Sequence, residues 1–162
     1  MKLIVAVDNK WAMARGGKLL THLPGDLKFF KEKTVGKTVV MGRTTLESLP
    51  GKKPLPDRNN IVMTTNHDYK VEGATMVHSM GELAKLLEDY DTNEVFIIGG
   101  EKVYKEYLPY CDTYFITKIY KDFQGDQFFM DLDKLSSIEV VWQSDMQEEN
   151  GIKYQWFEYR RK

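Results

Sequence analysis

Residues 94–104 read E-V-F-I-I-G-G-E-K-V-Y. The apolar run V-F-I-I has no polar alternation, so it describes a strand buried on both faces. Gly99-Gly100 stops that strand, and residues 101–108 then take helical spacing until Pro109 ends it. A buried strand, a glycine turn and a helix make the repeating unit of a parallel sheet covered by helices.

Working outward, the same unit recurs. Residues 2–7, 38–41 and 60–64 read as buried strands rich in Val and Ile, and residues 74–78 as a weaker one. Helical patterns fall between them at residues 26–33, 44–49 and 79–90. Ser79 is the N-cap candidate of the last, and Leu83, Leu86 and Leu87 form its apolar stripe. The final third changes character. Residues 113–120, 138–144 and 153–160 read as strands with no helix between them, and an acidic turn ending Asn150-Gly151 joins two of them as an antiparallel hairpin. We expect an α/β fold: a mostly parallel central sheet with a C-terminal antiparallel hairpin and four flanking helices.

The chain has 162 residues, which suits a single domain spanning 1–162. Its 42% apolar and 12% aromatic content supplies a core. A net charge of -1 gives no basic field for nucleic acid, so no nucleic-acid partner is expected. Cys111 is the single cysteine and cannot form an internal disulfide. We read it as a small buried side chain near a strand start rather than a nucleophile. The first apolar run is too short to span a membrane or to serve as a signal peptide, so we expect a cytoplasmic protein without a membrane partner.

In open α/β sheets, ligands bind beyond the carboxyl ends of the strands. That rule selects the segments after Val7, Met41, Thr64 and Ile98. Residues 8–24 lack periodicity and contain Gly16-Gly17, which suits a lid over a ligand. Asp26 shares a helix face with Phe29 and Phe30. It can serve as a helix-start acid meeting the dipole, or as a half-buried acid that binds an amino-heterocycle or manages a proton. Met41-Gly42-Arg43-Thr44-Thr45 combines helix-start amides with a guanidinium and hydroxyls, a donor set for an anion. The chain lacks G-x-G-x-x-G, a P-loop and a G-x-S-x-G elbow. His22, His67 and His78 have no zinc-ligand spacing, so no metal is expected.

Taken together, several pieces resemble the dihydrofolate reductase family over essentially the whole chain. They are I-V-A-V-D at 4–8, L-P-G-D-L-K-F-F-K at 23–31, V-V-M-G-R-T-T-L-E-S at 39–48 and P-L-P-D-R-N-N-I-V-M-T at 54–64. I-I-G-G-E-K-V-Y at 97–104, T-K-I at 117–119 and G-D-Q-F-F at 125–129 complete the set, in the family's order and spacing. The resemblance implies an eight-stranded sheet with four helices, NADPH as hydride donor, dihydrofolate as acceptor, and a monomer.

It also implies roles. Asp26 falls on the carboxylate that pairs with the pterin's 2-amino and N3 groups, and Thr117 on the threonine that hydrogen-bonds it. Ile4, Val5, Leu27, Phe30, Leu49, Leu55 and Ile98 fall on the substrate-binding walls. Arg58 matches the arginine that grips the substrate's glutamate carboxylate, with Lys31 near that tail. On the cofactor side, Ala6 and the 12–18 loop, with Met13, Ala14, Gly17 and Lys18, match the nicotinamide end. Gly42, Arg43, Thr44, Thr45, Thr64 and Thr65 match the phosphate and 2'-phosphate end. Gly99, Gly100, Glu101, Lys102, Val103 and Tyr104 match the turn beneath the pyrophosphate and nicotinamide, where the family holds its Gly-Gly bond cis. We expect the same between Gly99 and Gly100.

This chain departs from the family's pattern at three places. Leu20-Thr21 stands where the family has Pro-Trp, whose tryptophan orders a water beside the pterin. Met13-Ala14 replaces Ile-Gly in the lid, and Gln127 replaces a threonine. The same general fold serves reductases of ribosylated pyrimidines in riboflavin synthesis. Those enzymes have no use for Asp26 beside Phe30, or for Arg58. Two further readings are a non-catalytic nucleotide-binding module and a purely structural domain, the last of which fails to explain the polar clusters at several strand ends.

In the mechanism expected of this family, Asp26 anchors and polarises the ring while a water delivers the proton to N5. Burial should raise the pKa of Asp26.

Overall fold

A computed structural model describes residues 1–162. In chain order its elements are β1 (Lys2–Val7), β2 (Ala12–Arg15), β3 (Lys18–Leu19), α1 (Pro24–Thr34), β4 (Thr38–Gly42) and α2 (Arg43–Ser48). Next come β5 (Asn59–Met63), β6 (Ala74–Val77), α3 (Met80–Leu86), β7 (Val95–Gly99) and α4 (Glu101–Tyr107). The last are β8 (Thr113–Ile119), β9 (Gln127–Phe128), β10 (Ile138–Gln143), β11 (Gln147–Glu149) and β12 (Ile152–Arg161).

The central sheet runs β10-β12-β8-β1-β7-β4-β5-β6, with β11 added beside β12. Strands β8, β1, β7, β4, β5 and β6 are parallel, and β12 joins them antiparallel through β8. Strand β7 lies between β1 and β4, which precede it in the chain. The crevice beyond the carboxyl ends at that reversal is where such sheets take ligands.

Alternation along the strands sends the two larger core clusters to opposite faces of the sheet. Leu3, Val5 and Val7 of β1, Val40 of β4 and Ile97 of β7 enter one cluster, under Leu83 of α3 and Val103, Tyr104 and Tyr107 of α4. Ile4, Val39, Met41, Phe96 and Ile98 point to the other face, under Phe29 and Phe30 of α1 and Leu46 of α2. Both faces are therefore covered, which is why these strands read as continuous apolar runs.

The hairpin closes at Asn150-Gly151, both in left-handed conformations (φ 51° and 76°). This geometry matches the twist of the flanking strands, and Asn-Gly tolerates it. Ser79 caps α3 by accepting the Glu82 backbone N–H, as expected. The helix expected over 79–90 ends earlier, at Leu86, and passes into a 3₁₀ turn at Leu87–Asp89.

The larger difference concerns residues 8–24. They are not irregular: β2 and β3 pair with each other, and β2 pairs with β9. The Asp126 carboxylate accepts the Gly16 N–H at 3.0 Å, and the Phe129 N–H donates to the Trp11 carbonyl at 2.8 Å. Asp8 accepts the Ala12 N–H on Oδ1 and the Phe123 N–H on Oδ2. The partners at Phe123, Asp126, Phe129 and β9 lie more than a hundred residues away in the chain, beyond the reach of local periodicity. No helix is long and apolar enough to cross a membrane.

Candidate active site

Asp26 sits in the first turn of α1, whose start is held by the far end of the chain. The Gly25 N–H donates to Glu149 Oε1 at 2.7 Å, and the Tyr154 hydroxyl donates to the same oxygen. A Cβ at position 25 would collide with both groups, so any larger residue there would displace these two side-chain ends. This places the Asp26 side chain against the row formed by β1, β8 and β12. Across that row Ala6, Thr117 and Trp156 are in register.

Two side chains of the row donate to one oxygen of Asp26. The Thr117 hydroxyl reaches Oδ1 at 2.6 Å and the Trp156 indole N–H reaches it at 2.9 Å. Oδ2 has no protein donor. Burial raises the pKa of Asp26 above the ordinary carboxylate value. The two hydrogen bonds oppose that shift, and the nearby Glu149 charge adds to it. Asp26 lines a small cavity of about 40 Å³ with Ala6, Met13, Leu20, Thr21 and Leu27, enough for about one water.

The site residues expected from sequence fall into groups. Ile4, Phe30, Leu49, Leu55 and Ile98 meet in one apolar cluster beside α1. Leu27 lies with Asp26 on the cavity wall and is 41% exposed. Val5 is the exception: strand alternation turns its side chain into the opposite cluster, which leaves only its backbone for the cleft. Arg58 donates to Thr34 Oγ1 at 3.1 Å and to the Pro56 carbonyl at 2.8 Å, and its guanidinium lies 6.0 Å from the Phe30 ring centre. Lys31 is exposed on α1.

Around β4 and β7, the Gly99-Gly100 peptide is cis, matching the expectation. Thr45 Oγ1 lies 3.1 Å from where a Gly99 Cβ would stand, and Val103 Cγ2 lies 3.3 Å from a Gly42 Cβ. The Tyr104 hydroxyl donates to the Ile4 carbonyl at 2.7 Å and ties α4 to β1. Glu101 accepts the Phe128 N–H at 2.7 Å, so its carboxylate is engaged by the strap at β9. Lys102 is exposed, with Glu106 at 3.9 Å. Gly17 and Lys18 are exposed at the β2–β3 turn, and Ala14 is half-buried on β2.

Arg43 pairs with Glu47 at 2.8 Å and lies 4.2 Å from the Tyr69 ring centre. Thr44 is exposed next to it. Beyond Tyr69 opens a pocket of about 470 Å³ whose walls include His67, Lys70 and His78. The two imidazoles are 4.0 Å apart, and His78 Nδ1 meets the Thr64 carbonyl at 2.8 Å. Thr65 is exposed just past that carbonyl.

The reading from sequence missed Trp156 and Glu149. Alternation along the last strand puts Tyr154 and Trp156 on one face, which was legible, but the register against Thr117 was not.

Fold and site together define an α/β enzyme with an acid set in a small cavity and, apart from it, a wider pocket that holds Lys70 and two histidines. A profile of the family described as dihydrofolate reductase matches residues 1–161. The dihydrofolate reductase of Bacillus subtilis is 36% identical, over all of this chain and 95% of that protein. That of Buchnera aphidicola is 41% identical over 80% of this chain and 78% of its own. A solved dihydrofolate reductase from Enterococcus faecalis, complexed with NADP(H) and RAB-propyl, superposes with a TM-score of 0.88 at 39% identity. The match covers 99% of this chain and 95% of that one. The chain belongs to the dihydrofolate reductase family and is an oxidoreductase of that class.

Proposed function

We propose that the chain reduces 7,8-dihydrofolate to 5,6,7,8-tetrahydrofolate with NADPH as hydride donor, as a cytosolic monomer serving one-carbon metabolism. The observation that carries this reading is the Asp26 carboxyl group, gripped through Oδ1 and unpartnered at Oδ2. A flat heterocycle bearing an amino group and a ring N–H complements such a carboxylate. The apolar cluster of Ile4, Phe30, Leu49, Leu55 and Ile98 suits the rest of the ring system. Arg58, steadied by Thr34, supplies a cation for the acidic tail.

The donor set fits a phosphorylated dinucleotide. Arg43, Thr44 and Thr45 stand at the start of α2 and Thr64 and Thr65 after β5; Arg43 lies against Tyr69 and the Thr64 carbonyl meets His78, two walls of the wide pocket that also holds Lys70. These residues would hold its phosphates, while Ala6 and Met13 border the acid's cavity at the other end. NADPH, when bound, supplies the hydride. The chain's own residues orient the acceptor ring, exclude bulk water with Leu20 and Leu27, and hold the Asp26 carboxyl group against it. Asp26 polarises the ring so that N5 takes a proton from water.

The test is the loss of reduced-nicotinamide absorbance on mixing purified protein, NADPH and dihydrofolate. Rapid, dihydrofolate-dependent loss supports the reading. No loss, or loss without dihydrofolate, rejects it.

A further inference from the structure

We propose that Trp156 is a positioning residue for this reaction: its indole N–H, delivered from the terminal strand, fixes the Asp26 carboxyl group and sets which oxygen remains for the substrate. The proposal rests on the reading of Asp26 as the substrate-binding acid.

Several contacts orient the indole. It stacks on Phe29, a residue of the helix that carries Asp26, at 4.7 Å and 13°. The Tyr154 ring meets it edge-on at 5.6 Å and 75°. Tyr154 is itself held by Glu149, which also binds the Gly25 N–H at the head of α1. One side of this assembly therefore grips the helix and the other grips the indole, so Asp26 and Trp156 are held in mutual register.

Chemistry gives the indole a task that Thr117 cannot perform alone. A hydroxyl can donate or accept, so Thr117 can adapt to either form of the acid. The indole N–H only donates and does not titrate. Oδ1 must therefore stay an acceptor, and any proton on Asp26 is directed to Oδ2. Thr21 lines the same cavity but makes no hydrogen bond to Asp26, so the indole that directs the acid here comes from β12.

The charged and titratable groups facing this carboxyl are Glu149 and Tyr154; Tyr154 packs edge-on against the indole, a contact that a bicyclic replacement at 156 preserves. Trp156→Phe keeps a ring on Phe29 and deletes the N–H. A variant carrying benzothienylalanine at 156 keeps the full bicyclic shape and deletes the same group, which guards against a packing failure in the first. The measurement is the Asp26 titration followed by carboxyl ¹³C NMR, with the pH profile of kcat beside it. Both variants should raise the Asp26 pKa by about one unit, because a hydrogen bond to the ionised form is lost. The kcat profile should move in the same direction, with KM changing less than kcat. An unchanged pKa in the bicyclic variant, with Asp26→Asn still inactive, overturns the role of Trp156 and leaves that of Asp26 standing. Full turnover in Asp26→Asn overturns both.

Discussion

Thr117 and Trp156 are directly opposite each other across the antiparallel β8–β12 ladder, and both donate to the same oxygen of Asp26. A cross-strand pair thus acts as one clamp on a residue more than ninety positions away from either. The clamp makes the acid's chemistry depend on sheet register. A one-residue slip of β12 would turn Trp156 to the other face.

Thr117→Val keeps the shape of the side chain and removes one of the two donors. The ionised acid loses stabilisation, so the Asp26 pKa should rise by about one unit and turnover at neutral pH should fall about tenfold. A carboxyl NMR titration with steady-state kinetics checks this. An unchanged titration contradicts it.

Glu149→Gln should have the opposite sign. The Glu149 charge raises the Asp26 pKa, and a glutamine amide oxygen can still accept from Gly25 and Tyr154. The Asp26 pKa should fall, and the acid limb of the rate profile should move to lower pH. A profile moved upward would mean that the capping role outweighs the charge.

Burial of Asp26 also affects stability. Its pKa is raised in the folded state, so the folded protein holds that proton more tightly than the unfolded chain. The stabilisation is complete below the unfolded pKa and is lost as pH rises through the folded one. Asp26→Asn should therefore melt higher than the parent at neutral pH, by about 2–4 °C for each kcal/mol recovered. The gap should close as the pH is lowered through the folded pKa. Calorimetry across that range checks the sign, and a variant that melts lower at neutral pH contradicts it.

Arg43→Ala should raise KM for NADPH about tenfold or more while leaving that for NADH nearly unchanged, because a charge-assisted contact to the 2'-phosphate is worth about 1.5–3 kcal/mol. Paired initial-rate measurements with the two cofactors decide it. Equal losses with both reject the assignment of Arg43 to that phosphate.

Much of this architecture was legible before any coordinates. Continuous apolar runs such as V-F-I-I announce strands buried on both faces, and Ser79 and Asn150-Gly151 mark a helix start and a turn through local chemistry. What stayed hidden depends on distant pairing. The small sheet under residues 8–24 needs β9, and the clamp on Asp26 needs the β8–β12 register. At Val5, strand alternation turns the side chain to the opposite cluster, so the substrate-side role the resemblance implies falls to its backbone. The missing indole at Thr21 was visible as a gap, but the side chain that reaches the acid from β12 was not.

The central claim is that the Asp26 carboxyl group is the acid that holds the dihydrofolate ring. Its most direct test is the turnover of Asp26→Asn with NADPH and dihydrofolate across a range of pH. The account predicts a loss of about a hundredfold or more at neutral pH, with partial recovery in acid, where solvent protonates the ring unaided. Turnover equal to that of the parent at neutral pH would contradict it.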